Sequence, residues 1–249
     1  MSDRTITQEN YRFNEKEHCH QLLVNGNWKN LTGVSESIKF ISNFGVAAYY
    51  GSRRALMALG YDPKEDKKNV EGFRDFIVGI TDDDDKLSEV LYKAYTAHAT
   101  YAKERADKGT NSHDILSKYI QKCIDENDGL PMDTEEPVVK KFLEMTAKWK
   151  PKFIATEKHG FNEDLFIGGI CDLIVETNEG MGVWDFKDRA YATEKDLIQT
   201  GGYAHLFPLE FTHGMVIPLE GKEVAFWGNM GELKRLYECA LQIHRFQNK

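Results

Sequence analysis

Two carboxylates and a lysine stand close together in G-G-I-C-D-L-I-V-E-T-N-E-G-M-G-V-W-D-F-K-D, Gly168 to Asp188. The acids are Asp172 and Asp185, and Lys187 follows the second acid by two residues. The stretch predicts two strands joined by a turn at Asn178-Glu179-Gly180. Strand side chains alternate faces, so Asp185 and Lys187 share one face while Trp184 and Phe186 take the other. A hairpin brings Asp172 beside Asp185. Two carboxylates and an ammonium on one sheet face suit a divalent cation and a phosphodiester. Asp-x-Lys on an exposed strand is by itself commonly no more than solvated charge. Here the flanks are apolar: Phe166, Ile167, Ile170, Leu173, Ile174 and Val175 in the first strand, Val183, Trp184 and Phe186 in the second. Acids in such strands carry a desolvation cost that a bound cation offsets.

The elements that must position these groups follow from pattern. Thr193 to Phe207 predicts a helix, with Thr193 as N-cap and acids in its first turn. Gln199 and Tyr203 are four apart and share a face of it. Upstream, Gly109 precedes His113 by four residues at the start of another helix, expected over 111–127. An Asn25-Gly26 turn predicts a hairpin near Gln21 to Leu31. Helices are expected over 35–42, 46–59, 71–80 and 134–148, with a further helix opened by the acids Asp82 to Asp85. Pro151 begins the sheet, strands follow at 213–219 and 223–227, and an amphipathic helix closes the sequence at 232–247.

The order Gly-x-x-x-His, Gly-x-x-Asp, Asp-x-Lys, Gln-x-x-x-Tyr resembles the RecB-like branch of the PD-(D/E)XK nuclease superfamily. The likeness extends to phage-encoded exonucleases, CRISPR-associated RecB-like nucleases and mitochondrial genome maintenance exonucleases. It covers Lys108 to about Phe207; the hairpin at Asn25-Gly26 followed by L-T-G-V-S also resembles the phage members. The resemblance implies an α+β fold: a restriction-endonuclease-like core, a small mixed sheet flanked by helices, within 108–249, and a mainly helical N-terminal region over 1–107. It implies Mg²⁺ or Mn²⁺ held by His113, Asp172, Asp185 and the Phe186 backbone carbonyl. Lys187 would position or activate the attacking water, and Gln199 and Tyr203 would orient the site and touch the DNA backbone. Glu157 is either a further acid just outside the metal ligands or a solvated strand-end glutamate. Three departures stand out: Cys171 replaces the proline of the motif, the second acid is Asp rather than Glu, and Asp188 follows the lysine where Thr or Ser is frequent. The implied activity is a metal-dependent deoxyribonuclease, an exonuclease working from free, single-stranded or frayed ends. A structure-specific endonuclease and a non-catalytic nucleic-acid-binding module are the alternatives.

Composition sets bounds. The 249 residues suffice for one substantial domain or a catalytic core with a helical appendage. A formal net charge of −8 argues against a protein that coats DNA through a broad field, but less against a nuclease whose metal inverts the charge of an acidic site. Arg53 and Arg54, after Tyr49 and Tyr50, form either a strand clamp or a solvated helix face above core tyrosines. Cys19, Cys123, Cys171 and Cys239 form no C-x-x-C pair, so neither a disulfide framework nor an iron–sulfur cluster is expected. His18-Cys19-His20 reads as surface or turn rather than a zinc site. With no apolar run of membrane length and no signal-peptide core, a cytoplasmic protein is expected, in a bacterial host if viral, with DNA and a recombination or replication protein as partners.

Overall fold

A computed structural model describes residues 10–41, 52–59, 61, 78, 84–221 and 226–248. Contacts group 1–41 with 111–249 in one compact unit and 42–110 in a second. The N-terminal strands therefore belong with the residues that carry the motifs.

The first unit opens with three antiparallel strands, β1 (Tyr11–Asn14), β2 (Cys19–Val24) and β3 (Asn27–Asn30). Asn25 and Gly26 join β2 to β3 with φ of 51° and 77°. These are the positive values that a two-residue turn needs and that Asn-Gly tolerates. His20 lies within β2 and is buried, so the expectation of a surface turn for His18-Cys19-His20 holds only for His18, which has φ 50°. His20 is enclosed because its ring packs with Tyr11, Phe13 and His159. Burial and the neighbouring His159 and His18 hold it down to about 4.

The main sheet is mixed. β4 (Thr32–Gly33) pairs parallel with β6 (Ile167–Thr177), which pairs antiparallel with β7 (Gly180–Lys187). β7 pairs parallel with β8 (His213–Pro218), and β8 antiparallel with β9 (Phe226–Asn229). β5 (Lys152–Asn162) runs antiparallel along β6 from Glu176 to Ile167. Since β5 occupies that whole edge, β4 and β7 share the other. They meet β6 at 167–168 and 173–177, which leaves 169–172 between them. Asp172 closes this gap.

Helices cover both faces, the arrangement that buries a sheet with two apolar sides. On one face Val34 and Ile38, Tyr203 and Leu206, and Leu233 and Tyr237 pack on Cys171, Ile174 and Val183. They come from α1 (Val34–Ser37) and the residue that follows it, from α5 (Glu194–Ala204) and its C-terminal extension, and from α6 (Met230–Gln247). On the other face Leu116, Ile120, Val139 and Phe142 pack on Leu173, Val175, Trp184, Phe186, Met215 and Ile217. They come from α3 (Asp84–Glu126) and α4 (Pro137–Thr146). The fold is thus α+β. α3 is continuous through Gly109, so His113 sits inside a helix rather than near its start. In the second unit, α2 spans 52–58, and the Arg54 guanidinium lies 3.6 Å from the centre of the Tyr101 ring of α3. The expected helix over 71–80, apart from residue 78, and the opening residues of 46–59 lie outside the described residues. Among the described residues, no helix is long and apolar enough to cross a membrane.

α5 and α6 approach closely because Gly201 has no side chain. A Cβ there would lie 2.4 Å from the Leu233 carbonyl oxygen, a backbone atom that cannot rotate away. Gly201→Ala is expected to separate the helices and cost about 1–3 kcal/mol, the scale of overpacking a core. Urea unfolding checks this; an unchanged midpoint would show that the contact yields without cost.

Candidate metal centre

The site is built where β6 and β7 part. Their pairing ends at Leu173–Trp184. One position further stand Asp172 and Asp185, and here the Phe186 N–H donates to Asp172 Oδ2 at 2.8 Å. The carboxylate takes over from the ladder, so the strand end has no orphaned donor. β7 then continues along β8, with Asp185 opposite Val216 and Lys187 opposite Pro218. Asp185 and Lys187 lie on the α5 face by alternation, because Trp184 and Phe186 pack on the α3 and α4 face.

Glu157 joins Asp172 from β5. In the β5–β6 register Thr156 faces Leu173 and Lys158 faces Cys171, which puts Glu157 across from Asp172. Glu157 has φ 46°, a left-handed value that costs a side-chain-bearing residue on the order of 1–3 kcal/mol and that clusters at functional sites. The Thr156 hydroxyl donates to the Asp172 carbonyl at 2.9 Å, fixing the strand beside the kink. His113 arrives from α3, with Nδ1 3.9 Å from Asp172 Oδ2 and its ring edge-on to Phe186 at 5.7 Å. One ligand atom each of His113, Glu157 and Asp172 lies within 4.8 Å of the others. These three residues could hold a metal ion.

The electrostatics agree with that use. Asp185 is 1% exposed. Burial raises its carboxyl from 3.8 to about 7, with Asp172 adding to the rise and Lys187 opposing it. The Asp185 Oδ2 atom meets the Lys187 ammonium as an ion pair but has no hydrogen-bond donor aligned on it. Burial pulls Lys187 down, but Asp185 and Asp172 outweigh it and hold the ammonium above its usual range. Glu157 is raised from 4.5 to about 7 by burial, Asp172 and Asp114. Burial is the main cause of both shifts, and a bound cation would offset the cost of charging carboxylates there. The donors, one imidazole nitrogen among carboxylate oxygens, suit Mg²⁺ or Mn²⁺ better than zinc.

Two of the remaining expected residues lie on α5. Gln199 and Tyr203 share the buried face of α5, and Gln199 Nε2 donates to the Tyr203 hydroxyl at 2.5 Å. Burial, then Asp185 and Asp172, push the Tyr203 hydroxyl well above its usual range, so it stays neutral. The helix is started by Thr193, whose N–H donates to Asp196 Oδ2 at 2.8 Å in a capping box. Ser112 Oγ donates to Asp188 Oδ1 at 3.3 Å, which ties the extra acid to α3. Arg53 and Arg54 belong to the other compact unit. Sequence spacing ranked Glu157 below His113 and the two aspartates; its place across from Asp172 follows from the β5–β6 register, which local pattern does not announce. No protein-family model matches the chain, and no curated protein matches it.

The raised Glu157 carboxyl has a thermodynamic consequence. A group whose folded value lies above its unfolded one stabilises the fold fully below the unfolded value and loses that contribution as pH rises through the folded one. For Glu157 the window runs from 4.5 to about 7. In EDTA, the stability of the wild-type protein relative to Glu157→Gln is expected to fall across this window. Excess Mg²⁺ should restore the wild-type advantage above it. Thermal melts from pH 4 to 8 check this; parallel profiles for the two proteins would place Glu157 in solvent.

Proposed function

We propose that the protein is a metal-dependent phosphodiesterase acting on DNA, an exonuclease with a restriction-endonuclease-like core of the PD-(D/E)XK kind. The observation that carries this reading is the convergence of His113, Glu157 and Asp172 within 4.8 Å, beside a buried Asp185–Lys187 pair. Asp172 and Asp185, with His113 and the Phe186 carbonyl, would hold Mg²⁺ or Mn²⁺, and Glu157 is placed to join them. Such an ion supplies positive charge against the charge that develops on the phosphorus oxygens.

The chain's own groups do the rest. Lys187 stands with its ammonium against Asp185 and part of its side chain exposed, which suits it to steady an attacking water and the pentavalent charge. Asp185 holds that ammonium in one place and keeps it protonated. Phe186, pinned through its N–H to Asp172, fixes the spacing between the two acids. Gln199 and Tyr203 brace the α5 side of the site. DNA with single-stranded or frayed ends is the proposed substrate, the cytoplasm the proposed compartment, and a recombination or replication protein the proposed partner.

The direct test is digestion of end-labelled linear and covalently closed circular DNA with Mg²⁺ or Mn²⁺. Linear DNA should shorten from its ends and EDTA should abolish this. Cleavage in excess EDTA would refute the metal, and circles nicked as fast as linear DNA is degraded would make the enzyme an endonuclease. Lys187→Ala should lower the single-turnover rate by about 100-fold or more, the scale of losing one transition-state donor, with DNA affinity little changed. Near wild-type cleavage by this variant would reduce Lys187 to a counter-ion for Asp185.

A further inference from the structure

The eight residues that follow Lys187 carry a second device. Arg189 lies two residues on, and its Nη2 meets the Asp196 carboxylate. Its Nε donates to the Tyr191 carbonyl at 2.9 Å, and its guanidinium carbon lies 5.3 Å from the centre of the Tyr191 ring. The segment is held on several sides. Arg189 N–H donates to the Lys187 carbonyl at 2.8 Å, and the N–H groups of Leu219 and Glu220 donate to the Lys187 and Arg189 carbonyls. Yet Tyr191 is 52% exposed. A large aromatic ring kept in place by a cation and a fixed backbone, but left open to solvent, is an unfilled stacking surface.

Positive charge gathers on the same spot. Lys195 follows in the first turn of α5, and no carboxylate lies within ion-pair distance of it among the described residues. Burial lowers its ammonium; Arg189, Lys187 and Lys39 push it down further, against the pull of Asp196. Arg189 is matched by Asp196 and Lys187 by Asp185, which leaves Lys195 as the cation of this segment that a phosphate would pair, in a chain of net charge −8. We propose that Tyr191, Arg189 and Lys195 form a nucleotide subsite for single-stranded DNA, in which the Tyr191 ring stacks on the base next to the scissile phosphate and Lys195, backed by Arg189, holds that nucleotide's phosphate. The inference rests on the nuclease reading and deepens it, since it assigns the strand a path from Lys187 along 188–195. Ring and cation together are what sequence-tolerant single-strand binding uses.

Arg189 also supports the cap of α5 through Asp196, so the test uses Tyr191 and Lys195. Single-turnover cleavage of oligothymidylate with Mn²⁺ is measured against enzyme concentration, alongside oligothymidylate binding by anisotropy in EDTA over a range of salt. Tyr191→Ala should raise the half-saturating concentration about tenfold, within the range of one lost stacking contact, with the loss concentrated there rather than in the maximal rate. Tyr191→Trp should restore it, which a structural defect would not allow. Lys195→Gln should lower the slope of log affinity against log salt by about 0.7, the value for one phosphate contact on a single strand. Both results are required. If the variants cleave with wild-type half-saturation or keep the wild-type salt slope, the subsite is refuted and the nuclease reading stands. A wild-type protein that neither cleaves nor binds DNA overturns both.

Discussion

A carboxylate that is 1% exposed at the end of a strand is the constraint around which this sheet is arranged. Asp185 cannot be solvated where it stands, and an isolated charge there would cost several kcal/mol. Lys187 answers part of that cost from two residues away, on the same face of β7. For both side chains to stay on that face, β7 must remain an extended strand beyond the point where β6 leaves it. β8 makes this possible by pairing in parallel with Asp185, Phe186 and Lys187. On the side that β6 abandons, the Asp172 carboxylate accepts the Phe186 N–H. The same split that frees two strand ends brings two acids together and gives the Phe186 N–H an acceptor.

The gap between β4 and β7 along β6 leaves 169–172 without a strand partner on that edge. Its walls are set by small residues and by rings. A Cβ at Gly169 would lie 3.2 Å from both Leu206 and Tyr203, and one at Gly168 would lie 2.6 Å from His20. These two glycines let α5 and the N-terminal sheet close on β6. Core packing and site geometry thus share the same residues, and Cys171, buried beside Asp172, belongs to the core.

Much of this was legible in the sequence because the signals were local. The turn at Asn178-Glu179-Gly180 fixed the β6–β7 register and with it the meeting of Asp172 and Asp185. Thr193 announced the start of α5, and four-residue spacing put Gln199 beside Tyr203. What was not legible depends on long-range contact. Gly109 suggested a helix start, but the helix runs through it. His20 looked like a turn residue until Tyr11, Phe13 and His159 packed around it. The parallel pairing of Thr32 with Ile167 joins residues far apart in sequence, which no local pattern encodes. Glu157 stands across from Asp172 through the β5–β6 register, and its left-handed φ within a strand is a conformation that the surrounding Thr-Glu-Lys gives no reason to expect.

The connectivity of the sheet also sets the order in which this site can come together. β5, β6 and β7 form a meander in which each strand pairs with the next through a short connection. Closing such loops costs little entropy, so Glu157, Asp172 and Asp185 can be gathered by contacts within 152–187 alone. His113 must be brought from α3, and β8 must cross over α5 to lie parallel to β7. β4 must span more than half the chain to reach β6. The acids are thus the part of the centre that local structure can assemble, and they sit in mutual repulsion until the later arrivals enclose them. A newly made chain would present a loose carboxylate cluster first and the enclosed centre only when His113, β8 and β4 have docked.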